Sequence, residues 1–278
     1  MSLDAQPRDK RGALYLVPST LGDSDPREVL PDPVLETIRG LDGFIAEEAR
    51  SARAFLRRVG LGRELTQVPI DILDEHTPMR ELPRLLEPAL AGRRIGLLSQ
   101  AGYPAVADPG SELVALAHRH AIAVVPLVGP CSLVLALAAS GLNGQRFCAH
   151  GYLPIESAAR AARIRDLEAR SRSHEGAQLF IEAPYRNNQL LAALLATCAA
   201  DTRLCLATEL TLPSESVRTL TVAAWRVATP DLNRRPTVFV LQAGALSAAG
   251  EKRLSAPTPR RSRRRSGAKS ARSGSRGV

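Results

Sequence analysis

Residues 99–110 read S-Q-A-G-Y-P-A-V-A-D-P-G, a loop rich in glycine and proline. The loop follows an apolar run at 95–98, typical of a buried strand, and precedes residues 111–117, which have the pattern of a capped amphipathic helix. In open α/β sheets, ligands bind where strand ends meet helix N-termini. A strand-to-helix connection without a ligand is the alternative. The length and rigidity of this loop, with a second glycine-rich turn downstream, favour a binding site.

The composition indicates a globular protein of two domains. The chain has 278 residues, of which 45% are hydrophobic, and this length suits two domains of roughly 100–150 residues each. Apolar runs stop well short of the roughly 20 residues of a membrane helix, and no signal-peptide pattern opens the chain. The four cysteines form no C-x-x-C pair, so we expect no metal site and a reduced, cytoplasmic setting.

The net charge of +9 comes from the C-terminal part of the chain. Residues 251–278 hold ten Lys or Arg and one acid, and the other 250 residues hold 27 of each sign. Residues 245–278 have too little apolar surface to offset the entropy of ordering, so we expect a disordered basic tail. Its arginines at 260–265 suit RNA phosphates; a solvated extension with no specific partner is the alternative.

Apolar strands alternate with helices in the first half, which predicts a mostly parallel sheet covered on both faces. The second half predicts a mixed sheet, because two strands follow one another closely. Asp32 and Thr77, each before a proline, are expected to cap helices. We expect an N-terminal α/β domain at 1–127, a C-terminal α/β domain at 128–244 and the tail at 245–278. The ten predicted strands are 13–17, 44–46, 68–72, 95–98, 123–125, 147–149, 178–181, 204–207, 216–220 and 238–241.

Four unusual loops follow predicted strands: residues 18–23, 99–110, 128–132 and 182–186. A single Pro-Gly turn is usually only a turn. Four such loops at strand C-termini, spread over two domains, predict one ligand cleft between the domains.

These loops, with their neighbours, resemble the tetrapyrrole methylase superfamily, and within it the branch of small-subunit ribosomal RNA 2′-O-methyltransferases. The similarity runs from about residue 13 to residue 244. The motifs that carry it are L-Y-L-V-P-S-T-L-G-D at 14–23, A-E-E-A-R at 46–50, the loop at 99–110, V-G-P-C at 128–131, S-G-L-N-G-Q-R-F at 140–147, G-Y-L-P at 151–154 and E-A-P-Y-R at 182–186.

The resemblance implies a tetrapyrrole methylase-like fold, a homodimer, and S-adenosylmethionine bound in the cleft between the domains. Backbone N–H and C=O groups at strand ends suit its amino-acid and adenosine parts, and no phosphate-binding loop is needed. By position, the implied cofactor contacts are Pro18, Ala101, Gly102, Tyr103, Val106, Cys131, Ser132, Glu182 and Ala183.

Methyl transfer to a ribose hydroxyl needs alignment of the reacting atoms and benefits from a base that takes the hydroxyl proton. We expect Glu48 and Glu209 to be catalytic. Asp108 is also a candidate, although its place before Pro109 favours helix capping. Glu182 is an alternative holder of the cofactor ammonium.

The acceptor is expected to be RNA ribose, with two alternatives. The branch has a basic residue on each side of Glu209, and both are missing here, which together with the neutral body favours a small tetrapyrrole-like acceptor. A protein that binds cofactor or RNA without turnover is the other alternative. A basic helix region is either a solvated face or an RNA contact; its cations are Arg160, Arg163, Arg165, Arg170 and Arg172.

Overall fold

Five parallel strands form the first sheet of the computed structural model, which describes residues 12–62, 64–174 and 176–244. The strand order is β3-β2-β4-β1-β5. Because all five strands are parallel, the loops that follow them leave from one edge of the sheet. The strands are β1 (Ala13–Val17), β2 (Gly43–Ala46), β3 (Ile70–Ile72), β4 (Arg94–Leu98) and β5 (Ala123–Pro126).

Helices cover both faces of this sheet, as the uninterrupted apolar strands predict. Successive residues of a strand point to opposite faces. Phe44 therefore packs with Phe55 and Leu56 on one face, and Ile45 packs with Leu86 on the other. The helices of this half are α1 (Asp32–Arg39), α2 (Ala49–Val59), α3 (Leu82–Leu90) and α4 (Ser111–Arg119).

The second sheet is mixed, with the order β6-β7-β10-β8-β9. Strands β6 and β7 pair in parallel, and the other neighbours pair antiparallel. Its strands are β6 (Phe147–Tyr152), β7 (Ala177–Ile181), β8 (Arg203–Thr208), β9 (Ser216–Thr221) and β10 (Thr237–Gln242), and its helices are α5 (Ser132–Ser140), α6 (Ser157–His174), α7 (Asn187–Thr197) and α8 (Val222–Val227).

The predicted fold class is confirmed, since both sheets have the predicted strands and the predicted parallel or mixed character. The expected boundary between residues 127 and 128 falls after β5 and before α5. No helix in the described ranges is long and apolar enough to cross a membrane. The tail at 245–278, expected to be disordered, lies outside the described residues.

Two predicted helix caps are wrong. The N-cap of α1 is Pro31, and Asp32 is the first residue inside the helix. Thr77 does not cap α3, which begins at Leu82. The Thr77 hydroxyl donates to Asp74 Oδ1 at 2.8 Å instead, within the turn that precedes the helix. The turn therefore offers the Thr77 hydroxyl a nearer partner than a helix N-terminus.

Candidate active site

The loops after β1, β4 and β5 meet at the edge of the first sheet. The N–H of Ser19 donates to the carbonyl of Gly102 at 2.8 Å, which joins the first loop to the second. A Cβ on Gly129 would lie 2.2 Å from Cγ of Pro18, so the third loop approaches the first more closely than a side chain allows. Gly102 has φ of +83°, a conformation that favours glycine. The glycines of these loops therefore allow the backbones of neighbouring loops to come close together.

A cavity of about 310 Å³ lies beside these loops and is lined by residues of both halves of the chain. Its volume is at the lower end of the roughly 300–1,000 Å³ typical of small-molecule sites. Five residues that the sequence marks as candidate cofactor contacts or bases line it: Ala101, Asp108, Ser132, Glu182 and Glu209.

The other predicted site residues are not in the cavity wall: Pro18, Glu48, Gly102, Tyr103, Val106, Cys131 and Ala183. Several of them belong to the loops that shape it. Pro18 packs against Gly129, and Cys131 is the N-cap residue of α5, directly before Ser132. Burial, followed by the nearby Cys131 thiol, raises the pKa of Tyr103. Val106 is 42% exposed.

Glu182 is a buried carboxylate at the end of β7. Its Oε1 accepts the N–H of Ala183 at 2.7 Å and the Nε and Nη2 groups of Arg186 at 3.0 and 2.7 Å. Its Oε2 is buried and has no hydrogen-bond partner among the described residues. A buried carboxylate oxygen without a partner is costly unless a ligand supplies a donor. Glu182 therefore has an acceptor to offer a cationic or N–H-bearing ligand.

Asp108 lines the same cavity and does not cap α4, so the capping interpretation is wrong. The N-cap of α4 is Gly110. Asp108 instead forms a hydrogen bond with the hydroxyl of Ser99, which also accepts the N–H of Ala101 at 3.2 Å. Burial raises the pKa of Asp108, and the Ser99 hydrogen bond opposes this shift in part.

Glu47, which the sequence analysis missed, lies near Asp108. Burial raises the pKa of Glu47 first, and the charge of Asp108 raises it further. Its neighbour Glu48 is exposed, and its side chain makes no capping hydrogen bond to α2. Glu47 is half-buried, and only the topology identifies which of the two glutamates lies near Asp108.

Tyr152, at the end of β6, contributes from the second half of the chain. Burial raises the pKa of its hydroxyl, and the charges of Asp108, Glu182 and Glu47 raise it further. Tyr152 was also missed, although the motif at 151–154 contains it. The cavity thus has an acidic wall facing a tyrosine hydroxyl.

Glu209 has a different environment from Asp108. Its Oε2 accepts the Nε and Nη2 groups of Arg235 at 3.0 and 2.7 Å, and this pairing lowers the pKa of Glu209. Glu209 has φ of +53°, rare for a residue with a side chain. A carboxylate held by arginine suits binding better than proton acceptance. Within the described part of the chain, no three His, Cys, Asp or Glu side chains are placed to hold a metal ion.

Comparison with known proteins places this chain in a family. The family model for tetrapyrrole (corrin/porphyrin) methylases matches residues 34–225. Proteins called ribosomal RNA small subunit methyltransferase I are similar along most of the chain. The one from Pseudomonas aeruginosa is 31% identical over 248 residues, 88% of this chain and 83% of that protein. The one from Escherichia coli O157:H7 is 32% identical over 236 residues, 84% of this chain and 78% of that protein.

Solved structures share the fold. The methyltransferase CobJ has a TM-score of 0.56 at 20% identity, over 84% of this chain and 95% of its own. The native form of uroporphyrin III C-methyltransferase from Thermus thermophilus has a TM-score of 0.51 at 16% identity, over 83% of this chain and 97% of its own. At such identities the likeness concerns the fold alone. The family model and the relatives together show that the chain belongs to the tetrapyrrole methylase family, in the branch of the ribosomal RNA small subunit methyltransferase I proteins.

Proposed function

We propose that this methyltransferase transfers the methyl group of S-adenosylmethionine to a ribose 2′-hydroxyl of small-subunit ribosomal RNA. The proposal rests on the agreement between the chain's relatives and the chemistry of the cavity. Relatives named ribosomal RNA small subunit methyltransferase I are 31–32% identical along more than four fifths of the chain. The cavity at the strand ends joins glycine-rich loops to buried carboxylates, which suits a cationic donor and an acceptor that loses a proton.

The residues around the cavity fit S-adenosylmethionine. The buried, unpartnered Oε2 of Glu182 matches a ligand ammonium group in charge and in hydrogen bonding. Ala101 and Ser132 offer small side chains and backbone groups at loop positions. The remaining proposed contacts shape or flank the pocket, and they are Pro18, Gly102, Tyr103, Val106, Cys131 and Ala183. The bound cofactor supplies a methyl group on a positively charged sulfur.

The chain's own contribution is alignment and proton removal. Holding donor and acceptor in reacting geometry contributes roughly 7–11 kcal/mol to such a transfer. As the methyl group reaches the hydroxyl oxygen, the hydroxyl proton must leave. Asp108 is the better acceptor of that proton, because burial raises its pKa, whereas the ion pair with Arg235 lowers the pKa of Glu209. The catalytic roles expected for Glu48 and Glu209 stay predictions, and we propose that Asp108, in its ionised form, is the base.

The direct test is methyl incorporation into RNA. Small ribosomal subunits from cells lacking this protein are incubated with the full chain and tritiated S-adenosylmethionine, and the labelled nucleotide is identified by mass spectrometry. Label on a ribose oxygen of small-subunit RNA is expected. Label on a base, or no label with subunits from any source, contradicts the proposal.

The small tetrapyrrole-like acceptor is the second candidate, favoured by the neutral body with 27 residues of each charge sign. The same assay with a porphyrin precursor in place of RNA decides between them. A protein that binds without turnover would shift its melting temperature with S-adenosylmethionine and transfer label to neither acceptor.

We also propose a homodimer that acts in the cytoplasm, where ribosomal RNA is found. Helix α5 is apolar along its length and leaves Val134 and Leu135 57% and 37% exposed. A helix that is hydrophobic all round is normally buried, which supports a second subunit over this face. Light scattering of the purified full chain measures the mass, and a monomer at micromolar concentration contradicts this part of the proposal. The basic tail and the basic helix region are proposed RNA contacts.

A further inference from the structure

A second cleft, of about 300 Å³, lies at the outer edge of the second sheet, away from the carboxylates of the methyl-transfer cavity. It is formed by the start of β6, the C-terminal part of α6 and the start of β7. We call it the β6 cleft. Its walls include two arginines, two histidines and an exposed phenylalanine: Arg146, Arg170, His150, His174 and Phe147.

The charge of the β6 cleft is positive. The nearby acid is Asp166 of α6. Its carboxylate accepts hydrogen bonds from Arg170 Nε at 2.9 Å and from Arg163 Nη1 at 2.5 Å. The Nη nitrogens of Arg170 make no hydrogen bond among the described residues. Arg146 Nη1 donates to the carbonyl of His174 at 3.4 Å, a weak bond that costs little to replace. Guanidinium groups with available N–H donors suit phosphate oxygens.

The cleft is supported by a chain of hydrogen bonds. Arg163 Nη2 donates to His150 Nδ1 at 3.1 Å, so the His150 ring donates from Nε2 to Gln178 Oε1 at 2.7 Å. Gln178 is buried and donates to the Gly176 carbonyl at 3.2 Å. These hydrogen bonds hold His150 and Gln178, which line the cleft, in fixed positions beside its cations. Phe147, which is 52% exposed, presents its ring beside them. Cations next to an exposed aromatic ring are the features that hold a phosphate and stack a base in single-stranded RNA.

The same strand connects this cleft to the methyl-transfer cavity. Phe147 begins β6 and Tyr152 ends it at the cavity. The register of β6 shifts between Ala149 and Tyr152, so at about 3.3 Å per residue the two ends lie at most about 16 Å apart. The cavity wall holds Asp108, Glu182 and Glu209, and the two nearby arginines, Arg186 and Arg235, are already paired with Glu182 and Glu209. RNA that delivers a ribose to this acidic wall needs its cationic contacts elsewhere, and the β6 cleft supplies them along the open edge of the sheet.

We infer that the β6 cleft is an RNA-docking site, which holds a backbone phosphate between Arg146 and Arg170 and stacks an unpaired base on Phe147. This inference rests on the proposed function, because it assigns the place where the RNA acceptor is held. Its test separates the two claims by measuring RNA binding and methyl transfer independently.

The first experiment uses the full chain, a fluorescein-labelled single-stranded RNA and fluorescence anisotropy over a range of salt concentrations. The double variant Arg146→Gln with Arg170→Gln removes both cations that hold the phosphate. We expect weaker binding and a slope of log Kd against log salt that falls by about 0.7, the contribution of one phosphate of a single strand. The matched control is Arg57→Gln with Arg119→Gln, which removes two exposed cations of the first half of the chain, outside both the cleft and the basic helix region. Equal slopes in both double variants overturn the inference.

The stacked base is tested separately with Phe147→Leu, which keeps an apolar side chain and removes the ring. We expect RNA affinity to fall about five-fold or more with little change in the salt slope. Wild-type affinity in Phe147→Leu overturns the stacking part of the inference. Melting temperature and S-adenosylmethionine affinity, measured on every variant, exclude misfolding as the cause.

Cys148 gives a readout that needs no substitution. It lies in the cleft and is exposed, so RNA bound there protects it from iodoacetamide, as read by mass spectrometry of the digested protein. Cys198 is an unreactive internal reference, because burial raises its pKa to about 12. Protection that depends on protein concentration and not on RNA assigns the cleft to a second copy of the chain and overturns the inference.

The two claims fail in different ways. If the wild type methylates ribosomal RNA and the cleft variants keep its KM for RNA, the docking site is wrong and the proposed function stands. If the wild type binds RNA through the cleft and methylates none, the proposed function is wrong and the docking site stands. We expect the cleft variants to raise KM for RNA about ten-fold and to leave kcat nearly unchanged.

Discussion

The carboxylate of Glu182 binds Arg186 at 2.7 Å through Oε1, while its Oε2 lies buried without a partner among the described residues. The arginine fixes the side chain and leaves one oxygen for a ligand. This arrangement places an unpartnered carboxylate oxygen at a strand end beside the cavity. An ammonium group is the ligand that satisfies both its charge and its hydrogen-bonding capacity.

Glu182→Gln is therefore expected to weaken S-adenosylmethionine binding at least ten-fold, because the isosteric amide removes the negative charge opposite the ammonium. The demethylated product should lose affinity to a similar extent, since it keeps the same amino group. Calorimetric titration with both ligands measures the effect. Glu36→Gln, an exposed residue of α1, is the control, and a Glu182→Gln protein that binds like this control excludes the proposed role.

Asp108→Asn is expected to lower kcat by about 10²–10⁴, the range for a lost general base, while affinity for S-adenosylmethionine changes by less than three-fold. Because burial raises the pKa of Asp108, the wild-type rate should fall as the pH drops through that raised value. The acid limb should be absent from the residual activity of Asp108→Asn. Methyl incorporation into small-subunit RNA between pH 5 and 9 measures both effects.

Glu209→Gln decides between the two candidate bases. If Glu209 takes the proton, its variant loses turnover to the same extent as Asp108→Asn. If Arg235 holds Glu209 in its charged form for binding, the larger change is in KM. Unchanged turnover in Asp108→Asn, together with a large loss in Glu209→Gln, would reverse our assignment.

The alternation of strands and helices, and the loops that end the strands, could be predicted because each rests on a short run of residues. Which side chains lie at the cleft could not be predicted from the sequence. Glu47 and Glu48 are neighbours, and only the position of β2 beside β4 determines that Glu47 lies near Asp108. Arg235 pairs with a glutamate 26 residues away, a contact that depends on β8 and β10 being adjacent. Asp108 matched a capping pattern, but its nearest partner is Ser99, nine residues earlier.

The Glu209–Arg235 pair predicts a pH dependence of stability. Since the pairing lowers the pKa of Glu209 in the folded protein, its contribution is fully present above the unfolded value of about 4.3 and is lost as the pH falls through the folded value. A partly exposed pair of this kind contributes about 0.5–1 kcal/mol. Urea unfolding should show Glu209→Gln less stable than wild type by this amount at pH 7, with the gap closing towards pH 3. A gap that does not change with pH contradicts the pairing.

Gly129→Ala tests whether contact between the loops shapes the cofactor site. The added Cβ would lie 2.2 Å from Cγ of Pro18, so one of the two loops must move. We expect a destabilisation of roughly 1–3 kcal/mol, as for overpacked sites, and at least a ten-fold loss of S-adenosylmethionine affinity. Gly144→Ala is the matched control, because a Cβ there meets no atom within 4 Å. Thermal unfolding and ligand titration of both variants provide the comparison, and equal behaviour would show that the cofactor does not depend on this close approach.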